Sequence, residues 1–228
     1  YQGFFMDMKK GILIQETKDG SHTLYNESLD ETYHSTHGAV QEANHVFIDN
    51  GIKLIDKSDI NILEVGFGTG LNAILTNNYA KENSIVINYI GLETIPLGMD
   101  LINKLNYLSE NKYLSEDEFM NIHKCDWEIP SQINDSFSIT KKNIKIQNFQ
   151  SEHNFDLVYY DAFGPRAQIE MWDRSIFENL FSLINHGGKL VTYCAMGQFK
   201  RDLKSVGFVV ECVQGPPGKR EMTIASKK

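Results

Sequence analysis

Short apolar runs alternate with amphipathic segments along most of the chain. The runs are rich in β-branched and aromatic residues, which predicts buried strands. The segments between them have apolar residues at a spacing of three or four, which predicts helices. This alternation predicts an α/β fold with a doubly wound, mostly parallel sheet and an antiparallel strand at its edge. The strands are predicted at residues 60–65, 84–92, 155–160, 189–195, 208–213 and 222–225, and the main helices at 72–80, 172–184 and 198–206.

The N-terminal part has its own pattern. Residues 8–28 alternate between apolar and polar positions on both sides of Asp19-Gly20, which is a hairpin turn signal. We expect a small β-hairpin that lies outside the main sheet. A helix follows from Gly38, and it should end near Asn50 because a glycine comes next.

These patterns predict two parts. An N-terminal hairpin and helix extension covers residues 8–52, and a single compact unit covers 53–228. The segment Tyr1–Phe5 is excluded from the prediction, since Met6 and Met8 are the first candidate start residues.

The region from residue 97 to 155 is less regular. A helical segment should begin at Ser115, which forms a capping-box pattern with Glu118. Two short strands are predicted at residues 137–139 and 144–146, separated by a polar TKKN segment. We expect the second to be the third strand of the main sheet, ending near residues 148–150.

A glycine-rich loop follows the first strand of the main sheet. Residues 60–72 read INILEVGFGTGLN, so that Gly66, Gly68 and Gly70 stand between a buried strand and a helix. Glycines here let the backbone turn sharply and let a ligand approach, while the helix directs free N–H groups at that ligand. The pattern lacks the G-K-[ST] of a phosphate-binding P-loop. It favours a nucleotide-type ligand, and the alternative is a tight turn.

Two acids stand at later strand ends. Glu93 ends the second strand, where a carboxylate can accept from the two hydroxyls of a ribose; the alternative is a cap for the next helix. Asp161 and Phe163 follow the strand 155–160, at the sheet edge where open α/β sheets bind ligands. The form of the glycine loop with Glu64, this acid–aromatic exit, and the HGGKL segment 186–190 favour a methyltransferase over a dehydrogenase.

Composition narrows the function classes. The net charge is −8 with 228 residues, which argues against a protein that coats nucleic acid by charge alone. Eight cationic residues against three anionic ones from Lys189 onward leave room for a local basic face. The three cysteines form no CxxC pair, so we expect neither a disulfide framework nor a metal site, and a cytoplasmic setting fits best. No apolar run predicts a membrane span, and no signal peptide is visible.

Six blocks of the sequence resemble one family in the same order. They read DETYHSTHGAVQEANHVFI, ILEVGFGTGLN, GLETIPL, DLVYYDAFGP, GGKLVTYCAMGQFKRDL and GFVVECVQGPPGKREM. The family is the methyltransferase that completes 5-methylaminomethyl-2-thiouridine at the wobble position of bacterial tRNA. In some bacteria this domain is fused to a flavin-dependent oxidase, and the chain resembles the stand-alone form.

The resemblance implies a class I (Rossmann-like) fold and an activity. The family transfers a methyl group from S-adenosylmethionine to the 5-aminomethyl amine of the wobble uridine. It implies S-adenosylmethionine as the cofactor, without flavin or metal, and the tRNA anticodon stem-loop as the partner. A separate oxidase would supply the aminomethyl substrate, and no membrane is involved.

Chemistry assigns roles to particular side chains. The acceptor amine must lose a proton as the C–N bond forms, and Asp161 is the candidate that takes it. Phe163 and Trp172 are candidates to stack on a flipped-out uridine, with core packing as the alternative. Tyr33 and Ser35 close over the ligand if the resemblance holds. The residues expected to meet tRNA phosphates are Lys219 and Arg220, with Lys200 and Arg201.

The adenine site departs from the class I pattern. Such enzymes usually have an acid at the end of the third strand, and none stands near residues 147–150. Backbone or side-chain contacts from Asn148 or Phe149 would have to serve, and Asp126 is a competing candidate. The full set of predicted cofactor contacts is Gly66, Phe67, Gly68, Thr69, Gly70, Asn72, Glu93, Asn148 and Phe149.

Two other function classes remain open from the sequence. One is an S-adenosylmethionine-dependent N-methyltransferase that acts on a small-molecule or protein amine. The other is a Rossmann-type NAD-dependent dehydrogenase or a nucleotide-binding module.

Overall fold

The computed structural model describes residues 11–111 and 113–228. The candidate starts Met6 and Met8, the segment Tyr1–Phe5 and the first residues of the predicted extension lie outside the described residues. Within the two described ranges, no helix is long and apolar enough to cross a membrane.

The described chain forms two sheets. The strands are β1 (Ile12–Glu16), β2 (His22–Asn26), β3 (Glu31–Thr32), β4 (Asp59–Val65), β5 (Val86–Leu92), β6 (Ser131–Asn134), β7 (Phe137–Lys142), β8 (Phe155–Tyr160), β9 (Ile184–Thr192), β10 (Val209–Gln214) and β11 (Glu221–Ser226). The first three form a small antiparallel sheet, and the other eight form the main sheet in the order β10-β11-β9-β8-β4-β5-β7-β6. Its central strands run parallel, while β6, β10 and β11 pair antiparallel.

The helices connect these strands. They are α1 (Ala39–Ala43), which continues as a π-helical turn over Asn44–Asp49, α2 (Leu71–Asn83), α3 (Met99–Ile102), α4 (Tyr107–Glu110), α5 (Glu116–Lys124), α6 (Arg174–Leu183) and α7 (Gly197–Val206), with 3-10 turns at Ile52–Leu54, Ile146–Asn148 and Ile169–Trp172. The capping box at the start of α5 is confirmed. Ser115 Oγ accepts from the Glu118 N–H at 3.1 Å, and the Glu118 carboxylate accepts from the Ser115 N–H at 3.0 Å.

Apolar residues cover both faces of the main sheet, as the doubly wound fold requires. Along β8, Leu157 and Tyr159 belong to one core with α2, while Val158 and Tyr160 belong to a second core with α6 and α7. Successive strand residues point to opposite faces, so a strand that is buried on both sides reads as a continuous apolar run. The predicted doubly wound sheet with an antiparallel edge is confirmed.

The N-terminal hairpin is confirmed and is larger than predicted. β1 pairs with β2 around Asp19-Gly20, and β3 adds a third antiparallel strand. Leu24 of this sheet and Val46 of the following helix are buried in the same core as Ile62 of the main sheet. The division between residues 52 and 53 stays a prediction.

The predicted third strand at residues 144–146 is wrong. β7, Phe137–Lys142, pairs parallel with β5, and Ile146 lies in a 3-10 turn. The Lys141–Lys142 pair interrupts the apolar pattern in the sequence, yet Lys141 is only 1% exposed. Its ammonium donates to the His123 carbonyl at 2.6 Å and lies 5.1 Å from the Trp127 ring centre, which satisfies the charge inside the fold.

The start of the next strand also differs. α6 ends at Leu183 and β9 begins directly at Ile184, earlier than the predicted strand start at residue 189. The pairing of β8 with β9 shifts register between Phe155 and Leu157. Gly187 and Gly188 lie at this irregularity, so the strand accommodates them without ending.

Candidate active site

A cavity of about 810 Å³ opens at the carboxyl ends of β4, β5 and β8. It lies where parallel strands of neighbouring βα units end, which is the usual ligand position in this architecture. The loop at residues 31–37 closes one side of the cavity, and Lys219 reaches in from the turn between β10 and β11. Sequence segments far apart in the chain therefore share one site.

The glycine loop after β4 lies against the loop after β8. Gly66 has a φ of +94°, and a Cβ at this position would be 2.5 Å from the Asp161 carbonyl oxygen. The N–H groups of Gly66 and Phe67 donate to the Leu92 carbonyl at 3.1 and 2.9 Å. A side chain at residue 66 would thus separate the two loops, and glycine is required by both conformation and space.

The other residues of the glycine loop differ in whether they line the cavity. Gly66, Phe67, Gly68 and Thr69 line the cavity, and Asn72 follows in the first turn of α2. Gly70 lies outside the lining, contrary to the predicted cofactor contact. It is the N-cap of α2 in the left-handed conformation, and a Cβ there would be 2.8 Å from His123 Nε2. Gly70 therefore shapes the loop without lining the cavity.

Glu93 faces the cavity from the end of β5. Its Oε2 accepts from the Gly68 N–H at 3.0 Å, and its Oε1 accepts from the Thr94 and Ile95 N–H groups, both at 2.8 Å. Oε1 thus already accepts two hydrogen bonds, while Oε2 keeps a lone pair for a ligand hydroxyl. The carboxylate therefore orders the glycine loop and stays available to the cavity.

Asp161 is the carboxylate at the centre of the site. It is half-buried at the end of β8, and its Oδ2 accepts from Asn72 Nδ2 at 2.8 Å. Burial raises the pKa of Asp161 to about 7, and the hydrogen bond from Asn72 opposes part of that rise. A carboxylate whose pKa is near neutrality can both take up and release a proton at physiological pH.

A fully buried acid stands behind Asp161. Glu64 Oε1 accepts from the same Asn72 amide at 2.8 Å, and burial raises the Glu64 pKa well above its usual range. Among the described residues, neither Glu64 Oε2 nor Asn72 Oδ1 has a hydrogen-bond partner. Asn72 thus bridges two carboxyl groups, and the raised pKa of Glu64 favours its neutral form next to Asp161.

The two predicted stacking aromatics have different positions. Phe163 lines the cavity and packs edge-on against Tyr33, with 4.9 Å between ring centres. Trp172 lies outside the cavity lining, since it is 5% exposed and packs edge-on against Tyr160 and Phe199 in the core. Its indole N–H donates to the Phe163 carbonyl at 2.9 Å. Trp172 therefore holds the loop that presents Phe163.

The predicted lid residues lie at the cavity. Tyr33 and Ser35 both line it, and burial together with the Glu93 charge raises the pKa of the Tyr33 hydroxyl. The Ser35 N–H donates to Glu42 Oε1 at 2.9 Å. Glu42 is a residue that the sequence prediction missed, since one acid on a short helix gives no signal of its own.

The basic residues predicted for tRNA phosphates separate in the structure. Lys219 lines the cavity, forms an ion pair with Glu42, and lies 4.0 Å above the Tyr193 ring. Arg220 is exposed outside the cavity lining. Lys219 is therefore already paired within the site, which argues against a simple phosphate contact.

The part of the cavity that was expected to bind adenine has a different lining from the predicted one. The reason is that β7 ends at Lys142, earlier than the predicted third strand. Asn148 is exposed and Phe149 is buried against Phe155, and neither belongs to the cavity lining. Asp126 is exposed outside the lining as well. The lining here comes from Ile95 after β5 and from residues 144–147. Correct placement of β7 would have pointed to that segment, since it follows the strand end directly.

No group of three or more His, Cys, Asp or Glu side chains that could hold a metal ion occurs within residues 11–111 and 113–228. The prediction that no metal takes part is not tested by this finding.

Comparison with known proteins adds to this geometry. A family model described as S-adenosyl-L-methionine-dependent methyltransferase matches residues 109–228, just over half of the chain. The bifunctional protein MnmC of tRNA 5-methylaminomethyl-2-thiouridine biosynthesis from Cupriavidus metallidurans is 27% identical over 219 residues, which cover 89% of this chain. An uncharacterised protein of Methanocaldococcus jannaschii is 26% identical, covering 97% of this chain and 61% of its own length. The chain spans about a third of the length of the MnmC relative.

Solved structures show the same fold. MnmC2 from Aquifex aeolicus superposes with a TM-score of 0.76 at 24% identity, covering 96% of this chain and 71% of that one. Spermidine synthase from Thermotoga maritima superposes with a TM-score of 0.61 at 14% identity, covering 95% and 69%. From the family model, the chain belongs to the family of S-adenosyl-L-methionine-dependent methyltransferases.

Proposed function

We propose that this chain transfers a methyl group to the 5-aminomethyl amine of wobble 5-aminomethyl-2-thiouridine in tRNA, giving 5-methylaminomethyl-2-thiouridine. The observation that carries the proposal is Asp161, a half-buried carboxylate with a pKa of about 7 that faces the cavity beside the glycine loop. The names of the MnmC relatives support the choice of acceptor.

The residues at the glycine loop fit S-adenosylmethionine. This cofactor has no phosphate, so its binding needs space for an amino-acid end and acceptors for a ribose. Gly66 and Gly68 line the cavity, and Glu93 Oε2 keeps a lone pair that can accept from a ribose hydroxyl. When bound, the cofactor supplies a methyl group on a positively charged sulfur.

We assign the adenine to the apolar wall that replaces the predicted contacts. Ile95, Ile144 and Ile146 line this part of the cavity, with Gln147 beside them. Apolar side chains can sandwich a base, while the Gln147 amide and the neighbouring backbone groups offer hydrogen bonds to its edge. An acid is not required for this arrangement.

Asp161 is the group that accepts the proton of the acceptor amine. An alkylamine arrives as an ammonium near neutral pH, and it must be neutral to attack. A carboxylate with a pKa of about 7 can accept one proton from the ammonium before the attack and return it to water afterwards, and the neutral amine becomes a secondary ammonium when the C–N bond forms. The Asn72 amide fixes the orientation of the carboxylate through its hydrogen bond to Oδ2. Placement of the amine in line with the methyl group supplies most of the acceleration.

The acceptor side fits an extruded uridine. Phe163 and Tyr33 form an aromatic corner at the cavity, and an exposed base can stack on such a ring. Lys145 and Arg166 also line the opening and can meet the phosphates on either side of the flipped nucleotide. The anticodon stem-loop as partner, a separate oxidase that supplies the amine, and a cytoplasmic setting are parts of this proposal.

The test uses a synthetic anticodon stem-loop with 5-aminomethyl-2-thiouridine at the wobble position. We expect transfer of one labelled methyl group from S-adenosylmethionine, with the product identified by mass spectrometry of the nucleosides. The matched control is the same stem-loop with an N-acetylated amine, which cannot accept the methyl group.

Lack of transfer by a preparation that binds S-adenosylmethionine would reject the tRNA acceptor. Transfer to the free modified nucleoside at the same rate as to the stem-loop would instead favour a small-molecule amine. Binding of NAD in place of S-adenosylmethionine would contradict the methyltransferase assignment itself.

A further inference from the structure

The Glu42–Lys219 ion pair lies in the cavity wall with no task in the scheme above. Glu42 is 7% exposed, and its two carboxylate oxygens accept from the Ser35 N–H and from Lys219 Nζ. The two residues are far apart in sequence, and both line the cavity that holds Asp161. The pair joins the loop before α1 to the turn between β10 and β11.

Tyr193 connects this pair to Asp161. The Lys219 ammonium lies 4.0 Å above the Tyr193 ring, and the Tyr193 hydroxyl donates to the Ala162 carbonyl at 2.8 Å, next to Asp161 in the chain. Burial raises the pKa of the Tyr193 hydroxyl well above its usual range, with the Asp161 charge adding to the rise. Lys219 is therefore fixed by a carboxylate on one side and an aromatic ring on the other.

The two charges act on Asp161 with opposite sign. Glu42 raises the pKa of Asp161, and Lys219 lowers it, after the larger effect of burial. Because the two charges are paired with each other, an ammonium arriving at Asp161 meets neither a free cation nor a competing free carboxylate. Loss of either partner would leave one uncompensated charge in the cavity.

We propose that Glu42 and Lys219 are positioning residues for methyl transfer, which close the acceptor side of the cavity and balance the charge around Asp161. The inference rests on the proposed role of Asp161 as the proton acceptor. It replaces the predicted role of Lys219 as a phosphate contact. It also assigns a task to the otherwise unexplained acid on α1.

The first measurement does not depend on the acceptor. The Asp161 carboxyl is titrated by NMR in protein with 13C-labelled aspartate, and its signal is assigned by its loss in Asp161→Asn. We expect Glu42→Gln to move the titration midpoint down and Lys219→Met to move it up, each by about half a pH unit or more. The double variant should return towards the wild-type midpoint.

The second measurement follows the same variants in methyl transfer. The acidic limb of the pH profile of kcat/KM should move in the same two directions. Glu42→Gln should also raise KM for the amine substrate, since it leaves Lys219 as an unpaired cation. Lys219→Arg, which keeps the charge, should retain the wild-type pH profile.

Lys81→Met is the matched control. Lys81 pairs with Glu118 at 2.8 Å with nearly the same exposure as Lys219, 34% against 33%, but outside the cavity. Its variant should leave both the Asp161 midpoint and the pH profile unchanged. Retained S-adenosylmethionine binding shows that each variant is folded.

Shifts of the same sign in Glu42→Gln and Lys219→Met, or no shift in either, would overturn the inference. Opposite shifts in the NMR titration without transfer to the tRNA stem-loop would support the inference and reject only the proposed acceptor.

Discussion

The two sides of the cavity are built in different ways. The glycine-loop side, Gly66–Asn72 with Glu93, is made of neighbouring residues whose backbone N–H groups and tight turns form the surface. The acceptor side, which comprises Tyr33, Glu42, Phe163 and Lys219, is made of side chains that the fold brings together from distant segments. A backbone site can be recognised from a local motif, whereas a side-chain site depends on tertiary packing. The cofactor chemistry was therefore easier to predict than the acceptor chemistry.

The largest effect is expected from a substitution of Asp161, which lies where the glycine-loop side and the acceptor side of the cavity meet. Asp161→Asn keeps the shape of the side chain but removes its ability to take a proton. We expect turnover to fall by about 10²- to 10⁴-fold. S-adenosylmethionine affinity, measured by calorimetry, should change by only a few-fold. A variant with wild-type turnover would remove Asp161 from the mechanism.

A pair of aromatic variants separates substrate contact from core packing on the acceptor side. Trp172→Ala should lower the free energy of unfolding by about 3–5 kcal/mol, because a buried indole leaves a cavity. Phe163→Ala should instead weaken binding of the RNA substrate by about 1–3 kcal/mol, the worth of one base stack. Denaturant unfolding and substrate titration of both variants check this division. Equal losses of stability in the two would contradict it.

His34 lies between the glycine-loop side and the acceptor side of the cavity, and its protonation should make the stability of the protein depend on pH. Burial lowers the pKa of His34 to about 4, and its Nε2 lies 3.5 Å from Thr69 Oγ1 of the glycine loop. Below pH 6.5 the unfolded chain binds a proton that the folded chain excludes, so this contribution to stability is lost as the pH falls from 6.5 to 4. The loss is at most about 3 kcal/mol.

The measurement compares unfolding free energies of wild type and His34→Gln across that pH range. Asp161 works in the opposite direction, because its raised pKa makes the folded chain bind a proton and lose stability as the pH rises from 3.8 to about 7. The difference between the two proteins isolates His34. His153→Gln, at an exposed position, controls for loss of an imidazole. A constant difference across the range would refute the prediction.

The smallest effect concerns the glycine-loop side. Gly66→Ala should destabilise the fold by about 1–3 kcal/mol, since its φ is +94° and its Cβ would meet the Asp161 carbonyl. S-adenosylmethionine binding should weaken with it. Gly98→Ala is the matched control, because Gly98 has a φ of −76° and open space around its Cβ position. Thermal unfolding with and without the cofactor compares the two, and equal behaviour would contradict the spatial argument.

Local patterns predicted most of the fold. The bounds of β8 are those expected, and the helix from Arg174 buries the predicted Ile176, Phe177, Leu180 and Leu183. The third strand was misplaced because Lys141 looks like a loop residue and is in fact buried. Its neutralising contacts come from His123 and Trp127, which no sequence window around it contains. The residues predicted to contact the adenine, Asn148 and Phe149, lie outside the cavity lining for the same reason.

The sequence by itself determined the order of strands and helices, the glycine loop, and the acids at the strand ends, because these follow from periodicity and from the special backbone freedom of glycine. Only the tertiary structure decided that Trp172 belongs to the core, that Lys219 pairs with Glu42, and that Asp161 has a pKa near neutrality. Each of these depends on distance and desolvation between residues that are remote in the chain.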